Sequence, residues 1–210
     1  MDRIAAEIEQ ISSLHLETIA DSIQRIGFTC TDCGACCRGE SGDADHAAVV
    51  YPDEIRAIQH TVGGEWDEVV RPMPYGGSDE TFEWALRTDP CGDCRFHDST
   101  IRGSGGCSIY AARPRICRTY PFQLVHDPAN PTSGVVDTDG HVTAYECEGL
   151  GESIDREQSM TLAAELKSRA LFELREARSV IDAYEPTQDH ESLTVYDSEG
   201  PKTTTGDHID

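Results

Sequence analysis

The chain has 210 residues, and its 39 acidic side chains outnumber its 17 basic ones to give a formal charge of -22. This charge excludes nucleic acid and anionic membranes as partners, because a protein of like charge gains nothing from releasing their counterions. Only Lys167 and Lys202 are lysines. An excess of acids with few lysines is typical of proteins adapted to high salt, because salt screens the repulsion among the acidic side chains. The alternative is an ordinary acidic protein with a disordered tail.

The first 27 residues carry acids throughout and contain no long apolar stretch. This pattern predicts neither a signal peptide nor a transmembrane span, and we expect a cytoplasmic protein. Cytoplasmic thiols stay reduced, so dense cysteines there indicate metal binding or catalysis. Their odd number, nine, also fits poorly with a closed set of disulfides.

Residues 2–26 are predicted to form one helix, because isoleucines recur at three- and four-residue steps and Gly27 can end it. Its apolar stripe would pack on the core or, alternatively, form a dimer seam. A cysteine-bearing loop is predicted over 28–47. A second helix is predicted from Pro52 to the glycine pair at 63–64, followed by a short helix at 65–70.

Strands are predicted near residues 82–86 and on both sides of a turn at 137–140. The longest helix is predicted from about 155 to 184, and the acidic, Thr-rich chain beyond it is predicted to be disordered. We therefore expect an α+β protein with a small single domain, in which helices and a few short strands surround a cysteine-rich metal-binding centre. The predicted segments are an N-terminal helix (1–27), a metal-binding core (28–151), a C-terminal helix packing on the core (152–185) and an acidic tail (186–210).

Four of the nine cysteines fall within eight residues, as C-x2-C-x2-C-C from Cys30 to Cys37. Three sulfurs at steps of three suit either a zinc ion or an iron–sulfur cluster. Gly34 permits a tight turn whose exposed amides can donate to sulfur. The adjacent Cys36 and Cys37 point apart, which predicts either two neighbouring sites or two faces of one site.

A basic segment follows, in which residues 95–126 hold five arginines and one acid, a formal charge of +4. A four-thiolate zinc site or an oxidised four-iron cluster carries a charge of about -2, which nearby guanidinium groups would stabilise. Alternatively, these groups could bind an anionic substrate bidentately, or simply balance local acids. The five are Arg95, Arg102, Arg113, Arg115 and Arg118.

Four stretches carry a resemblance to a known family. They are F-x-C-x2-C-x2-C-C at 28–37, Cys94-Arg-Phe-His97, C-S-I-Y-x-A-R-P-x2-C-R-x-Y-P-F at 107–122, and E-C-x-G-L-G at 146–151. Together they resemble the CxxCxxCC family of zinc- or iron-chelating proteins, the YkgJ-type cysteine-cluster proteins. His97 stands where that family usually has leucine. The family is related to flagellin lysine N-methylases, so S-adenosylmethionine enters by analogy alone, since this chain has no glycine-rich loop after a predicted strand.

The resemblance implies eight metal ligands and leaves Cys91 outside the set, although Cys91 and Cys94 could exchange roles. It also places Arg113 and Arg118 in a matched motif, where they would support the metal–thiolate centre or bind an anion. Among the histidines, only His97 is a notable further ligand candidate. The implied ligands are Cys30, Cys33, Cys36, Cys37, Cys94, Cys107, Cys117 and Cys147.

Three functions remain open from the sequence. The favoured one is a cytosolic protein holding an iron–sulfur cluster, with redox or methyl-transfer activity. The alternative is a structural zinc-binding module, with up to two four-cysteine sites, that mediates protein interaction. A thiol redox enzyme fits least, because such C-x2-C pairs accompany a βαβ pattern that this chain lacks. Metal is thus the expected partner, with a protein partner or substrate possible, and no catalytic residue is assigned.

Overall fold

A computed structural model of the protein describes residues 3–39, 47–73, 79–101, 106–129, 132–186 and 193–209. Within these ranges the helices are α1 (Arg3–Ser13), α2 (Leu16–Ile26), α3 (Pro52–Val62), α4 (Trp66–Val69), α5 (Arg115–Thr119) and α6 (Arg156–Ala183). The strands are β1 (Val49–Val50), β2 (Val70–Pro72), β3 (Glu80–Thr81), β4 (Trp84–Leu86), β5 (Phe122–Leu124), β6 (Val135–Asp139), β7 (Val142–Tyr145), β8 (Thr194–Asp197) and β9 (Gly200–Lys202). The predicted α+β class is confirmed.

The chain divides into two compact units where the sequence predicts one domain. Unit 1 combines residues 1–36 with 115–175, and unit 2 combines residues 37–114 with 176–210. Each unit is built from two separated segments, so no linker rich in glycine, proline or serine marks the division in the sequence.

Two helices replace the single N-terminal helix predicted over 2–26. The Ser13 hydroxyl donates to the carbonyl of Gln10 at 2.7 Å, a local bond that competes with helix continuation. His15 is then extended, with φ -77° and ψ 138°, and precedes α2. The predicted end of α2 is confirmed, since Gly27 has φ 77° and its amide donates to Ile23 at 2.8 Å.

The core of unit 1 is a three-stranded antiparallel sheet, in the order β5-β7-β6, with the isoleucine faces of α1 and α2. Ile23, Phe122 and Leu166 are at most 1 % exposed, and burial of such a side chain contributes about 1.5–3 kcal/mol. The buried Arg169 of α6 donates to the Thr119 hydroxyl at 2.9 Å and to the Phe122 carbonyl at 3.2 Å. These bonds fix the chain between α5 and β5.

Unit 2 contains two further three-stranded sheets, in the orders β1-β4-β2 and β3-β8-β9. The predicted end of α3 is confirmed, because Gly63 takes a left-handed conformation with φ 73°. The predicted short helix corresponds to α4, the strand near 82–86 to β4, and the pair around the 137–140 turn to β6 and β7 in unit 1.

The prediction of a disordered tail is wrong for residues 193–209. Strand β8 pairs in parallel with β3 and antiparallel with β9, and Val195 and Tyr196 are at most 2 % exposed. The buried Lys202 bonds to Asp197 at 2.8 Å, so charged residues typical of a solvated tail are instead paired inside the unit. His190 of the predicted tail lies outside the described residues.

In the described part of the chain, no helix combines the length and the apolar character that crossing a membrane requires.

Candidate metal centre

All nine cysteines lie in the described part of the chain, and none of them forms a disulfide. The division between the two units falls between the adjacent Cys36 and Cys37. Each unit therefore has its own set of thiols. Unit 1 contains Cys30, Cys33, Cys36, Cys117 and Cys147, and unit 2 contains Cys37, Cys91, Cys94 and Cys107.

The loop of the first three cysteines turns sharply on both sides of Cys33. Asp32 and Gly34 have φ of 54° and 69°, the left-handed region in which aspartate and glycine are the favoured residues. The Ala35 amide then donates to the Cys33 sulfur at 3.5 Å. An amide next to Gly34 thus donates to sulfur, as the sequence predicts.

The backbone holds Cys147 beside this loop. The Thr29 amide donates to the Gly149 carbonyl at 3.0 Å, and Phe28 and Leu150 form an antiparallel bridge. A Cβ at position 149 would lie 2.0 Å from the Thr29 carbonyl oxygen, so only glycine permits this approach. The glycine of the closing E-C-x-G motif therefore brings Cys147 close to the segment that leads into Cys30.

Four sulfurs of unit 1 are close enough to interact electrostatically. Burial raises the pKa of the Cys147 thiol, a hydrogen bond from the Gly149 amide opposes this, and the charges of Cys33, Cys36 and Cys30 raise it again. Burial is also the main reason that the pKa of Cys30 is raised. Thiolates so placed repel one another, and a bound cation would relieve that repulsion.

Through its hydroxyl, Tyr120 interacts electrostatically with three of the same sulfurs. Its hydroxyl makes a short hydrogen bond to the carbonyl of Glu146, the residue before Cys147. Burial, and then the charges of Cys147, Cys36, Glu146 and Cys33, raise the pKa of Tyr120 to about 12. No pattern in the sequence singled out this residue, although it lies within the matched motif at 107–122.

Cys117 is half-buried on α5. The Tyr120 amide donates to the carbonyl of Ile116, the residue before Cys117, at 3.1 Å. Its predicted role as a ligand stays a prediction.

In unit 2, backbone contacts bring three cysteines and one histidine together. The Cys94 amide donates to the Cys37 carbonyl at 2.7 Å, and the His97 amide donates to the Cys94 carbonyl at 2.9 Å. His97 and Cys107 form an antiparallel bridge. Cys91 is exposed, and its amide donates to the Asp89 carboxylate at 2.8 Å.

The predicted arginines occupy different surroundings. In unit 2 the Arg113 guanidinium lies 3.8 Å from the centroid of the Tyr110 ring. In unit 1 Arg115 stacks on Phe172 at 3.7 Å, and Arg118 lines a cavity of about 300 Å³. The rest of this cavity is lined by Arg115, Thr119, Ala164, Glu165 and Ser168. Arg102 lies outside the described residues.

Among the described residues, no three His, Cys, Asp or Glu side chains are already spaced as the ligands of one metal ion. Such spacing commonly develops only as ligands close on the ion, because binding and folding are coupled. The donor chemistry fits zinc and iron, since thiolates and imidazole are the ligands that both take in proteins.

A family model described as "Putative zinc- or iron-chelating domain" matches residues 29–148. This chain belongs to the CxxCxxCC family. The match spans more than half of the chain and includes all nine cysteines, which confirms the resemblance seen in the sequence. As a CxxCxxCC protein, it carries a cysteine-cluster domain of the zinc- or iron-chelating type. No curated protein and no solved structure matched the chain.

Proposed function

We propose that unit 1 of this CxxCxxCC protein holds an iron–sulfur cluster through Cys30, Cys33, Cys36 and Cys147, and that the protein works in the cytosol. The observation that carries the proposal is the convergence of two loops: backbone bonds between residues 27–30 and 149–151 hold the loop of Cys147 beside the segment that leads into Cys30. Cys147 is close enough to Cys30, Cys33 and Cys36 to interact with them electrostatically. When bound, such a cluster supplies one-electron redox chemistry.

Two features of unit 1 favour a cluster over a zinc ion. The Ala35 amide donates to the Cys33 sulfur, and hydrogen bonds to sulfur are a main means by which proteins set cluster potentials. Arg115 and Arg118 flank Cys117 on α5, where positive charge would offset the negative charge of a four-thiolate cluster. Cys117 is the fifth thiol of the unit, and one more than a cluster needs.

Anaerobic purification of the full chain tests the proposal. We expect bound iron and sulfide, charge-transfer absorption in the visible range, and a paramagnetic signal after reduction. Cys33→Ser and Cys147→Ser should lose most of the iron, whereas the exposed Cys91→Ser should keep it. Cys117→Ser should also keep its iron, because the four proposed ligands remain.

Two results would contradict the proposal. If Cys33 and Cys147 bind zinc and no iron, the zinc module is correct. If Cys91→Ser loses as much iron as Cys33→Ser, the ligand set is wrong.

A further inference from the structure

We propose that unit 2 has a metal site of its own, in which Cys37, Cys94, Cys107 and His97 hold one zinc ion. The site goes beyond the iron–sulfur cluster proposed for unit 1, and it uses a histidine that replaces the usual leucine of the family pattern.

The first contact joins Cys37 to Cys94. Residues 35–37 form a 3₁₀ turn, and its three residues per turn point consecutive side chains about 120° apart. Cys37 therefore faces away from Cys36. The Cys94 amide donates to the Cys37 carbonyl at 2.7 Å, and the Gly39 amide donates to the Asp93 carboxylate at 2.9 Å. These bonds hold the end of the C-x2-C-x2-C-C motif on the 93–94 turn.

The second contact joins Cys94 to His97. The His97 amide donates to the Cys94 carbonyl at 2.9 Å and closes a tight turn. A C-x2-H spacing across such a turn puts a thiol and an imidazole within reach of one ion, as C-x2-C does for two thiols. Cys94 is only 6 % exposed, so its thiol is shielded from water.

The third contact joins His97 to Cys107. These residues face each other in an antiparallel bridge, where opposite Cβ atoms lie about 4.5–5.5 Å apart. Backbone bonds flank this bridge on both sides: the Asp98 amide donates to the Gly106 carbonyl at 2.8 Å, and the Ser108 amide donates to the Phe96 carbonyl at 2.9 Å. The His97 ring lies so close to Gly106 that a Cβ there would be 3.1 Å from Nε2. The imidazole is thus held beside the residue that precedes Cys107.

The donor set selects the metal. Three thiolates and one neutral imidazole form the Cys₃His set of structural tetrahedral zinc sites. Iron–sulfur clusters are held mainly by thiolates alone. Cys91 is the remaining thiol of unit 2, but it is exposed in the turn held by Asp89 and lacks these contacts. The four groups close around the ion as it binds, since no three of the described side chains already have ligand spacing.

Metal analysis of the full chain tests the site. We expect about one zinc per chain in the purified protein, in addition to any iron. His97→Leu and Cys107→Ser should lose zinc and keep their iron, and Cys33→Ser should show the reverse. His126→Leu is the matched control, because His126 is half-exposed in unit 1, where it lies 3.6 Å from Glu7.

Cobalt provides a measurement of the ligands that does not depend on activity. Co²⁺ added to metal-free protein should give the absorption of a tetrahedral thiolate site, altered by His97→Leu. The same substitution should weaken zinc binding at least tenfold in a competition titration, since even loss of a partner behind a ligand costs 10- to 100-fold. His97→Leu introduces an apolar side chain of the kind usual in the family, so it serves where Cys107→Ser fails to fold.

Two results would overturn the site. One is an unchanged cobalt spectrum and zinc affinity in His97→Leu. The other is loss of zinc in Cys33→Ser. The outcome is separate from that of the cluster in unit 1. If the protein holds no iron and His97→Leu loses its zinc, the zinc site is supported and the cluster in unit 1 is contradicted. If the protein holds iron but no zinc, the cluster is supported and the zinc site is contradicted.

Discussion

Tyr120 ties the helix that carries Cys117 to the loop that carries Cys147. Its hydroxyl bonds to the Glu146 carbonyl and is close enough to Cys147, Cys36 and Cys33 to interact with them electrostatically. We predict that Tyr120→Phe still binds metal but releases it faster to a chelator, because the loop of Cys147 has lost an anchor. The free energy of unfolding should fall by about 0.5–1.5 kcal/mol, the usual contribution of one hydrogen bond.

Tyr184→Phe is the control for Tyr120→Phe, since it removes a hydroxyl that bonds to Glu80 at 2.9 Å in unit 2. It should leave the release of metal from the unit 1 thiols unchanged. Chelator competition followed by absorption measures both variants. If the Tyr120→Phe and Tyr184→Phe variants release metal at equal rates, Tyr120 does not position Cys147.

The spacing of the cysteines predicted a metal site, but not how the cysteines are distributed between the two units. Spacing reports which residues lie near each other along the chain, whereas the pairing of Cys147 with the first loop depends on the close backbone approach at Gly149. Tyr120 gave no signal of its own, because a hydroxyl that bonds to a distant carbonyl leaves no local pattern. The only feature of the sequence that pointed to Tyr120 was its place in the matched motif at 107–122.

The C-terminal hairpin shows why an acidic segment need not be a solvated one. All four residues of β8 are buried, so no alternation of polar and apolar positions marks the strand. Asp197 accepts bonds from the Trp84 indole at 2.9 Å and from Lys202 at 2.8 Å. The pattern of a single sequence cannot show that a charged residue such as Asp197 will be buried beside these partners. Helices α3 and α6, in contrast, were predicted because their signals are local in the sequence.

Lys202 is the residue on which this hairpin most depends. It is 1 % exposed and bonds to both Asp197 and Glu199. We predict that Lys202→Met lowers the free energy of unfolding by about 3–5 kcal/mol, because the substitution leaves a buried carboxylate without its cation. Denaturant unfolding of the full chain measures the change.

Arg178→Met is the matched control, because Arg178 forms an ion pair with Asp182 at 3.3 Å in which the two side chains are 41 % and 64 % exposed. Such a surface pair contributes about 0–1 kcal/mol. If the two variants are equally stable, the charges of the hairpin do not hold it in place.

At the scale of the whole molecule, the division into two units separates the adjacent residues Cys36 and Cys37. The sequence predicted that Cys36 and Cys37 serve either two sites or two faces of one. The structure assigns Cys36 to unit 1 and Cys37 to unit 2. The order of cysteines along the chain does not reveal this assignment, because each unit is completed by a distant segment.

The net charge of -22 acts on the whole chain, and it predicts how stability depends on salt. Raising the ionic strength from 0.1 M to 1 M shortens the screening length from about 10 Å to about 3 Å, which weakens repulsion among the many acids. Salt also weakens exposed ion pairs such as Arg156–Asp21, but each of these contributes little. We therefore expect the melting temperature to rise with KCl over this range, as measured by circular dichroism. Sucrose at matched osmolality controls for effects other than screening, and a melting temperature that stays level or falls in KCl would mean that self-repulsion does not limit the stability of this protein.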